Sequence, residues 1–166
     1  MDRTLTVCNM TDISVNRVGI ISLPETLVFG KCYLNGQFKC GKSFLADYAQ
    51  GDWSKINRPV VPVWACTQNV TLTLSGILLR YYADSDILTS LHLIHTLVTQ
   101  HRETLSMHPK GNLFFVNNRT GTMRMVKVVK GNRWWTITSQ DCEHDSEEFL
   151  PGTRFFSHVT PATRLL

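Results

Sequence analysis

Between Leu113 and Thr138 three β-prone runs follow one another with almost nothing between them. Leu113 to Val116, Met123 to Val129 and Trp134 to Thr138 are separated by Asn117-Asn118-Arg119-Thr120-Gly121 and Lys130-Gly131-Asn132-Arg133, both rich in turn formers. A parallel connection needs a crossover of about a dozen residues or more, so these strands must be antiparallel neighbours. That meander is the strongest constraint on the fold.

The stretch before it, Asn69 to Gly111, supplies the bulk of the core. Val70, Leu72 and Leu74 alternate with Thr71, Thr73 and Ser75, and after Gly76 the apolar run continues through Ile77, Leu78, Leu79, Tyr81 and Tyr82. This pattern predicts a strand with a bulge or bend at the glycine. From Asp84 the period changes: Ile87, Leu88, Leu91, Ile94, Leu97 and Val98 recur at three and four residues, predicting a long amphipathic helix over Asp84 to Gln100. Asp84, Ser85 or Asp86 can cap it, and His108-Pro109-Lys110-Gly111 closes the segment.

The first half of the chain reads less clearly. A short strand is expected near Val18 to Ser22, ended by Pro24, and Lys31 to Cys40 (KCYLNGQFKC) places Asn35-Gly36 between two β-prone arms, a hairpin signal. Phe44 to Ala49 suits one or two helical turns. Asn57-Arg58-Pro59 and Pro62 hold the chain extended, so Val60, Val61, Val63 and Trp64 are expected on an edge strand that tolerates proline. Beyond the meander comes an extended tail, residues 150–166, and Phe149 just before it with Leu150, Phe155 and Phe156 within it can pack back. The expectation is a single α+β domain over residues 1–166, mainly antiparallel sheet with one long helix on it, preceded by an extended segment over residues 1–22.

With 166 residues and 43% hydrophobic composition the chain suffices for one core. No apolar window is long enough to span a membrane, and Asp2, Arg3, Asp12 and Arg17 break up the first twenty residues. Five scattered cysteines without a secretion signal read as reduced thiols, which places the expectation in the cytoplasm, with a peripheral membrane or virion location as its extension.

One motif points to an enzyme. Gly36 to Ser43 reads GQFKCGKS and matches the phosphate-loop pattern, in which Gly36, Gly41, Lys42 and Ser43 would cradle and contact a nucleotide's phosphates. Its variable positions are bulky, Gly36 is equally explained by the Asn-Gly turn, and no downstream acidic strand end completes a metal site. His92 and His95 share a helix face but lack partner ligands, so no metal, cofactor or catalytic residue is assigned.

Charge is more informative. The net charge is only +4, yet between Thr104 and Gln140 the chain carries Lys110, Arg119, Arg124, Lys127, Lys130 and Arg133 and no acid. Asp141, Glu143, Asp145, Glu147 and Glu148 follow at once. On the middle strand Arg124, Val126, Val128 and Lys130 face one way and Met123, Met125, Lys127 and Val129 the other, while Trp134 and Trp135 put one indole on each face. Cations beside aromatics suit RNA, ribonucleoprotein or an anionic membrane.

The order of elements adds a resemblance. Asn57-Arg58-Pro59, the Thr-rich run Val70 to Leu74, the helix Asp84 to Gln100, Leu113 to Val116 and Arg133 to Thr138 together resemble the C-terminal half of rhabdovirus matrix proteins. The likeness covers about half the chain and rests on element order; PPxY and PTAP-type motifs and a lysine-rich leading arm are missing. It implies an α+β assembly protein that condenses ribonucleoprotein, attaches it to membrane and self-associates. The non-enzymatic reading therefore leads, with the nucleotide-binding protein and a protein-interaction module, such as a host-defence antagonist, as alternatives.

Overall fold

The computed structural model describes residues 12–24, 27, 38–49, 59–81, 86–142 and 147–159. The strands are β1 (Ile13–Ser22), β2 (Phe38–Cys40), β3 (Val60–Gln68), β4 (Leu72–Thr73), β5 (Asn112–Asn117), β6 (Met123–Lys130), β7 (Trp135–Asp141), β8 (Glu148–Phe149) and β9 (Arg154–Ser157). The helices are α1 (Lys42–Tyr48), α2 (Leu74–Tyr81) and α3 (Leu91–Gln100), with a 3₁₀ turn at Arg102–Thr104. Seven strands make one sheet in the order β1-β3-β9-β5-β6-β7-β2, and β4 pairs with β8 in a small second one. The sheet is mainly antiparallel, but β5 runs parallel to β9 and β7 parallel to β2.

The meander β5-β6-β7 forms with antiparallel registers, Phe114 opposite Val126 and Val128 opposite Ile137. Alternation sends its side chains to two cores. Phe114, Val116, Val126, Val128, Ile137 and Phe156 join Phe44 and Tyr48 of α1 and Leu93, Ile94 and Leu97 of α3 on one face. Leu113, Phe115, Met125 and Phe155 join Leu72 of β4, Leu74 and Ile77 of α2 and Phe149 of β8 on the other. Layers on both faces explain why β5 is buried along nearly its whole length and reads as LFFV rather than an alternating strand. Phe114 and Phe156 stack with centroids 4.9 Å apart and planes 4° from parallel. Each such fully buried ring contributes about 1.5–3 kcal/mol.

Four expectations need correction. The run through Gly76 is not a bulged strand: only Leu72–Thr73 is extended, and α2 begins at Leu74. Thr73 Oγ1 accepts the Gly76 N–H at 3.1 Å, an N-cap bond that starts a helix where the glycine suggested a bend. The helix expected over Asp84 to Gln100 is the ten-residue α3, capped by Ser90, whose Oγ accepts the Leu93 N–H at 3.2 Å. Residues 82–85 lie outside the described part. Just after them, Leu88 bridges to Phe115 and the Thr89 N–H reaches the Phe115 carbonyl at 2.7 Å. That is possible because β9 pairs only with Asn112 and Leu113, leaving the next part of β5 open on that side. Nor is α3 a surface helix with one wet face, because Leu91, His92, Leu93, Ile94, Thr96, Leu97 and Val98 are all buried.

The third correction concerns Val60 to Trp64, which belongs to β3, between β1 and β9 rather than at an edge. Pro62 is tolerated there because the β9 ladder reaches only as far as Trp64, so β3 is paired on one side alone at the proline. Finally, the segment read as a tail inserts β9 into the middle of the sheet, with Phe155 and Phe156 fully buried. The strand expected at Val18 to Ser22 is the later part of the ten-residue β1, and the turns expected at Phe44 to Ala49 are α1. Of the proposed hairpin only Phe38–Cys40 is described; Asn35 and Gly36 lie outside the described residues.

Candidate functional site

The cations of the meander divide between the two ends of β6, which lie roughly 24 Å apart at ~3.4 Å per residue. Arg119 is exposed in the β5–β6 turn, at one end. Arg124, near the same end, is neutralised: its Nε lies 2.9 Å from Asp47 Oδ2 of α1 and its Nη1 3.2 Å from Asp141 Oδ1. Lys127 faces the second core, where Glu147 Oε1 lies 3.8 Å from its Nζ. Arg124 and Lys127 therefore leave the candidate surface, because the acidic run and α1 fold back onto them. No local pattern showed this, since Asp47 is 77 residues from Arg124.

At the opposite end the structure gathers Lys130, Arg133, Trp134 and Trp135, and adds Lys39 and Arg102. Lys110 precedes β5 at this same end, since the next residue, Gly111, abuts the Val128 backbone. The parallel pairing of β2 with β7 sets Phe38 beside Trp135 and Lys39 beside Thr136. Phe38 and Trp135 stack at 6.0 Å. The Arg102 guanidinium lies 5.5 Å over the Phe38 ring and the Lys130 ammonium 5.5 Å over Trp135. Trp135, only 3% exposed, is thus a core residue that holds Lys130 in place, not a contact surface.

Trp134 faces the other way and is 41% exposed, with the Lys39 ammonium 5.1 Å over its ring. Beside it opens a groove of about 430 Å³ lined by Lys39, Gly131, Asn132, Arg133, Trp134 and Thr136. Among the described residues no carboxylate lines it. The turn carrying Arg133 is pinned by the Gly131 N–H donating to the Trp134 carbonyl at 2.7 Å. Lys39 and Arg102 escape a sequence reading because they come from separate segments that meet the meander only through β2 and the end of α3.

The phosphate-loop residues are organised differently from a nucleotide cradle. Lys39 and Cys40 are laddered to β7, and the Gly41 N–H donates to the Ile137 carbonyl at 2.7 Å. Ser43 Oγ accepts the Ser139 N–H at 3.2 Å, and Lys42 is exposed on α1. Gly41 has its own reason to be glycine: a Cβ there would sit 2.9 Å from Thr138 Cγ2, so the residue permits the close approach of α1 to β7. Gly36 lies outside the described residues.

Behind this, a buried network ties α1 to the sheet. Asp47 Oδ2 accepts from both Arg124 and Ser139 Oγ, and Tyr48 donates to the Val116 carbonyl at 3.1 Å. Burial, reinforced by Asp47, holds the Tyr48 phenol in its neutral form. Burial likewise pushes the Cys142 thiol up to about 11, with Asp141 adding to the shift and Arg124 opposing it. Among the described residues no group of three or more His, Cys, Asp or Glu side chains is placed to hold a metal ion, and no helix is long and apolar enough to cross a membrane. No protein-family model, curated protein or solved structure matches this chain.

Proposed function

We propose that the chain is a non-catalytic binding protein that takes single-stranded RNA at the groove between β2 and the β6–β7 turn. The observation that carries this reading is the groove itself: an exposed indole, two cationic side chains and, among the described residues, no acid, at one end of the sheet. A base has a π face for Trp134, and Lys39 and Arg133 supply charge for the flanking phosphates. An exposed indole flanked by two cations suits a base stacked between phosphates, which favours RNA or ribonucleoprotein over anionic lipid. In the matrix-like reading this groove would serve ribonucleoprotein condensation in the cytoplasm, with self-association as part of assembly.

The test is fluorescence anisotropy with a single-stranded RNA of about a dozen nucleotides, within the site sizes of single-strand binders, measured across a salt series. Expected is a dissociation constant that rises steeply with salt, the logarithm of the association constant falling against log salt with a slope of about −0.7 per phosphate contacted. Absence of binding at low salt would remove the proposal. Binding to phosphatidylserine vesicles without binding to RNA would replace it with a membrane role.

A further inference from the structure

On the same face as α3, but away from Trp134, a second cavity of about 240 Å³ opens between β1, β3 and the 3₁₀ turn. Its lining is Asn16, Arg17, Val18, Ala65, Thr104 and Arg154, again without a carboxylate. Arg154 stands on β9, an interior strand, opposite Thr67 of β3. Its Nε donates to Thr67 Oγ1 at 3.1 Å and its Nη1 to the Thr104 carbonyl oxygen. Both partners are neutral.

A guanidinium has five N–H donors, and among the described residues Arg154 finds protein partners for two. Cations withdrawn from water are ordinarily matched by a carboxylate, because desolvation disfavours an unmatched charge. Here burial does lower the Arg154 pKa, and among the described residues no acid compensates. Glu103, the acid beside Thr104 in the chain, is 72% exposed and lies 3.7 Å from His101 Nδ1. Arg17 belongs to the cavity wall, but its guanidinium turns to the other face of the sheet, where it rests 5.9 Å from the Trp64 ring centroid, so Arg154 is the cation of this space. The ligand must be small, since pockets for drug-sized molecules run from about 300 to 1,000 Å³.

We infer that this cavity is a binding site for a compact oxyanion of the phosphate type, either free or as the terminal group of a small ester, held by the unused fork of Arg154. The planar donors of arginine match two oxygens of such a group at once, and Asn16 lines the same space. The site shares no residue with the Trp134 groove and stands whether or not the chain binds RNA.

The experiment follows the side-chain Nε–H resonance of Arg154 in the ¹⁵N-labelled protein during separate titrations with inorganic phosphate and with glycerol 3-phosphate, at ionic strength held constant with sodium chloride. Expected is a saturable shift of Arg154 together with the Thr104 and Ala65 amides, while Arg119 stays put. Tighter binding of the ester assigns the site to an ester-borne phosphate, and equal or weaker binding to the free anion. Arg154→Lys loses the fork and should weaken binding at least about tenfold. Because that change also disturbs the Thr104 contact, Asn16→Leu at an exposed position of β1 provides a second variant, expected to weaken binding while leaving the amide spectrum otherwise intact. No saturable shift with either anion, or equal shifts of Arg154 and Arg119, would overturn the inference.

Discussion

Arg124 Nε and Asp47 Oδ2, 2.9 Å apart, join the middle strand of the meander to α1, and both side chains are more than four-fifths withdrawn from solvent. The same carboxylate oxygen accepts the Ser139 hydroxyl, so one acid holds two strands. Hydrogen bonds to charged groups contribute about 1.5–3 kcal/mol, and removing one partner leaves the other desolvated. Asp47→Asn is expected to lower unfolding free energy by about 2 kcal/mol in urea titrations. Arg124→Gln should be destabilising too, and with Asp47→Asn it should show a strongly non-additive double-mutant cycle. Additive losses would mean that the two residues act separately.

The RNA reading separates cleanly from that structural role. Trp134→Ala should weaken RNA binding by about 1–3 kcal/mol, the range for loss of one base stack, without a matching loss of stability. Arg133→Gln and Lys39→Gln should each make the salt slope shallower by about 0.7. Arg124→Gln should leave affinity and slope unchanged. A larger effect from Arg124 than from Arg133 would put the binding surface at the wrong end of β6.

Gly111 and Gly121 both have positive φ, +75° and +80°, but their surroundings differ. A Cβ at Gly111 would lie 2.6 Å from the Val128 carbonyl oxygen and 2.7 Å from Val129 Cγ2, whereas at Gly121 nothing lies within 4 Å. Gly121→Ala should cost about 1 kcal/mol, the strain of the left-handed backbone alone. Gly111→Ala should cost about 2–4 kcal/mol, because the β6 backbone must also move. Equal thermal shifts in the two variants would show that the close approach is unimportant.

Stability should fall away on both sides of neutrality. As pH rises past 9.0, the ordinary value of a thiol, the unfolded chain gives up the Cys142 proton while the folded chain keeps it until about 11. Unfolding therefore gains ground across that window, and Tyr48 acts in the same direction at higher pH. In acid, burial and the neighbouring His92 depress the His95 pKa below its usual 6.5, so the unfolded chain takes up a proton that the folded one refuses. Stability is then lost as pH falls through 6.5. Urea midpoints from roughly pH 5 to 10.5 test both limbs. Cys142→Ala should flatten the alkaline limb, and an unaltered limb would discount the thiol.

What could be read beforehand depended on how local the determining physics was. The meander was legible because Asn118, Gly121 and Gly131 mark turns between runs that alternate by twos, and the opposite facing of Val126 and Met125 followed directly. Leu74 to Tyr81 reads as a strand continuing from Leu72–Thr73, yet Leu74, Ile77 and Leu78 satisfy a helical spacing as well as an apolar run, and the cap at Thr73 decides between them. At the site, the chain shows that Trp134 and Trp135 face opposite ways beside Arg133, but not which indole is exposed, nor that Arg124 and Lys127 are neutralised. Asp47 and Glu147 reach them only through tertiary folding. Lys39 likewise joins the groove only through the parallel ladder of β2 on β7.

The strand order sets the sequence in which the protein assembles. β5, β6 and β7 are neighbours in the chain and can zip together early, but β3 acquires its inner partner only when Trp64 meets Ser157, and β2 is placed only when Phe38 meets Trp135. Such distant closures slow folding relative to a chain of local contacts. While synthesis proceeds, β1 and β3 can pair only with each other until β9 has emerged, so their apolar faces leave the nascent chain aggregation-prone until β9 is made.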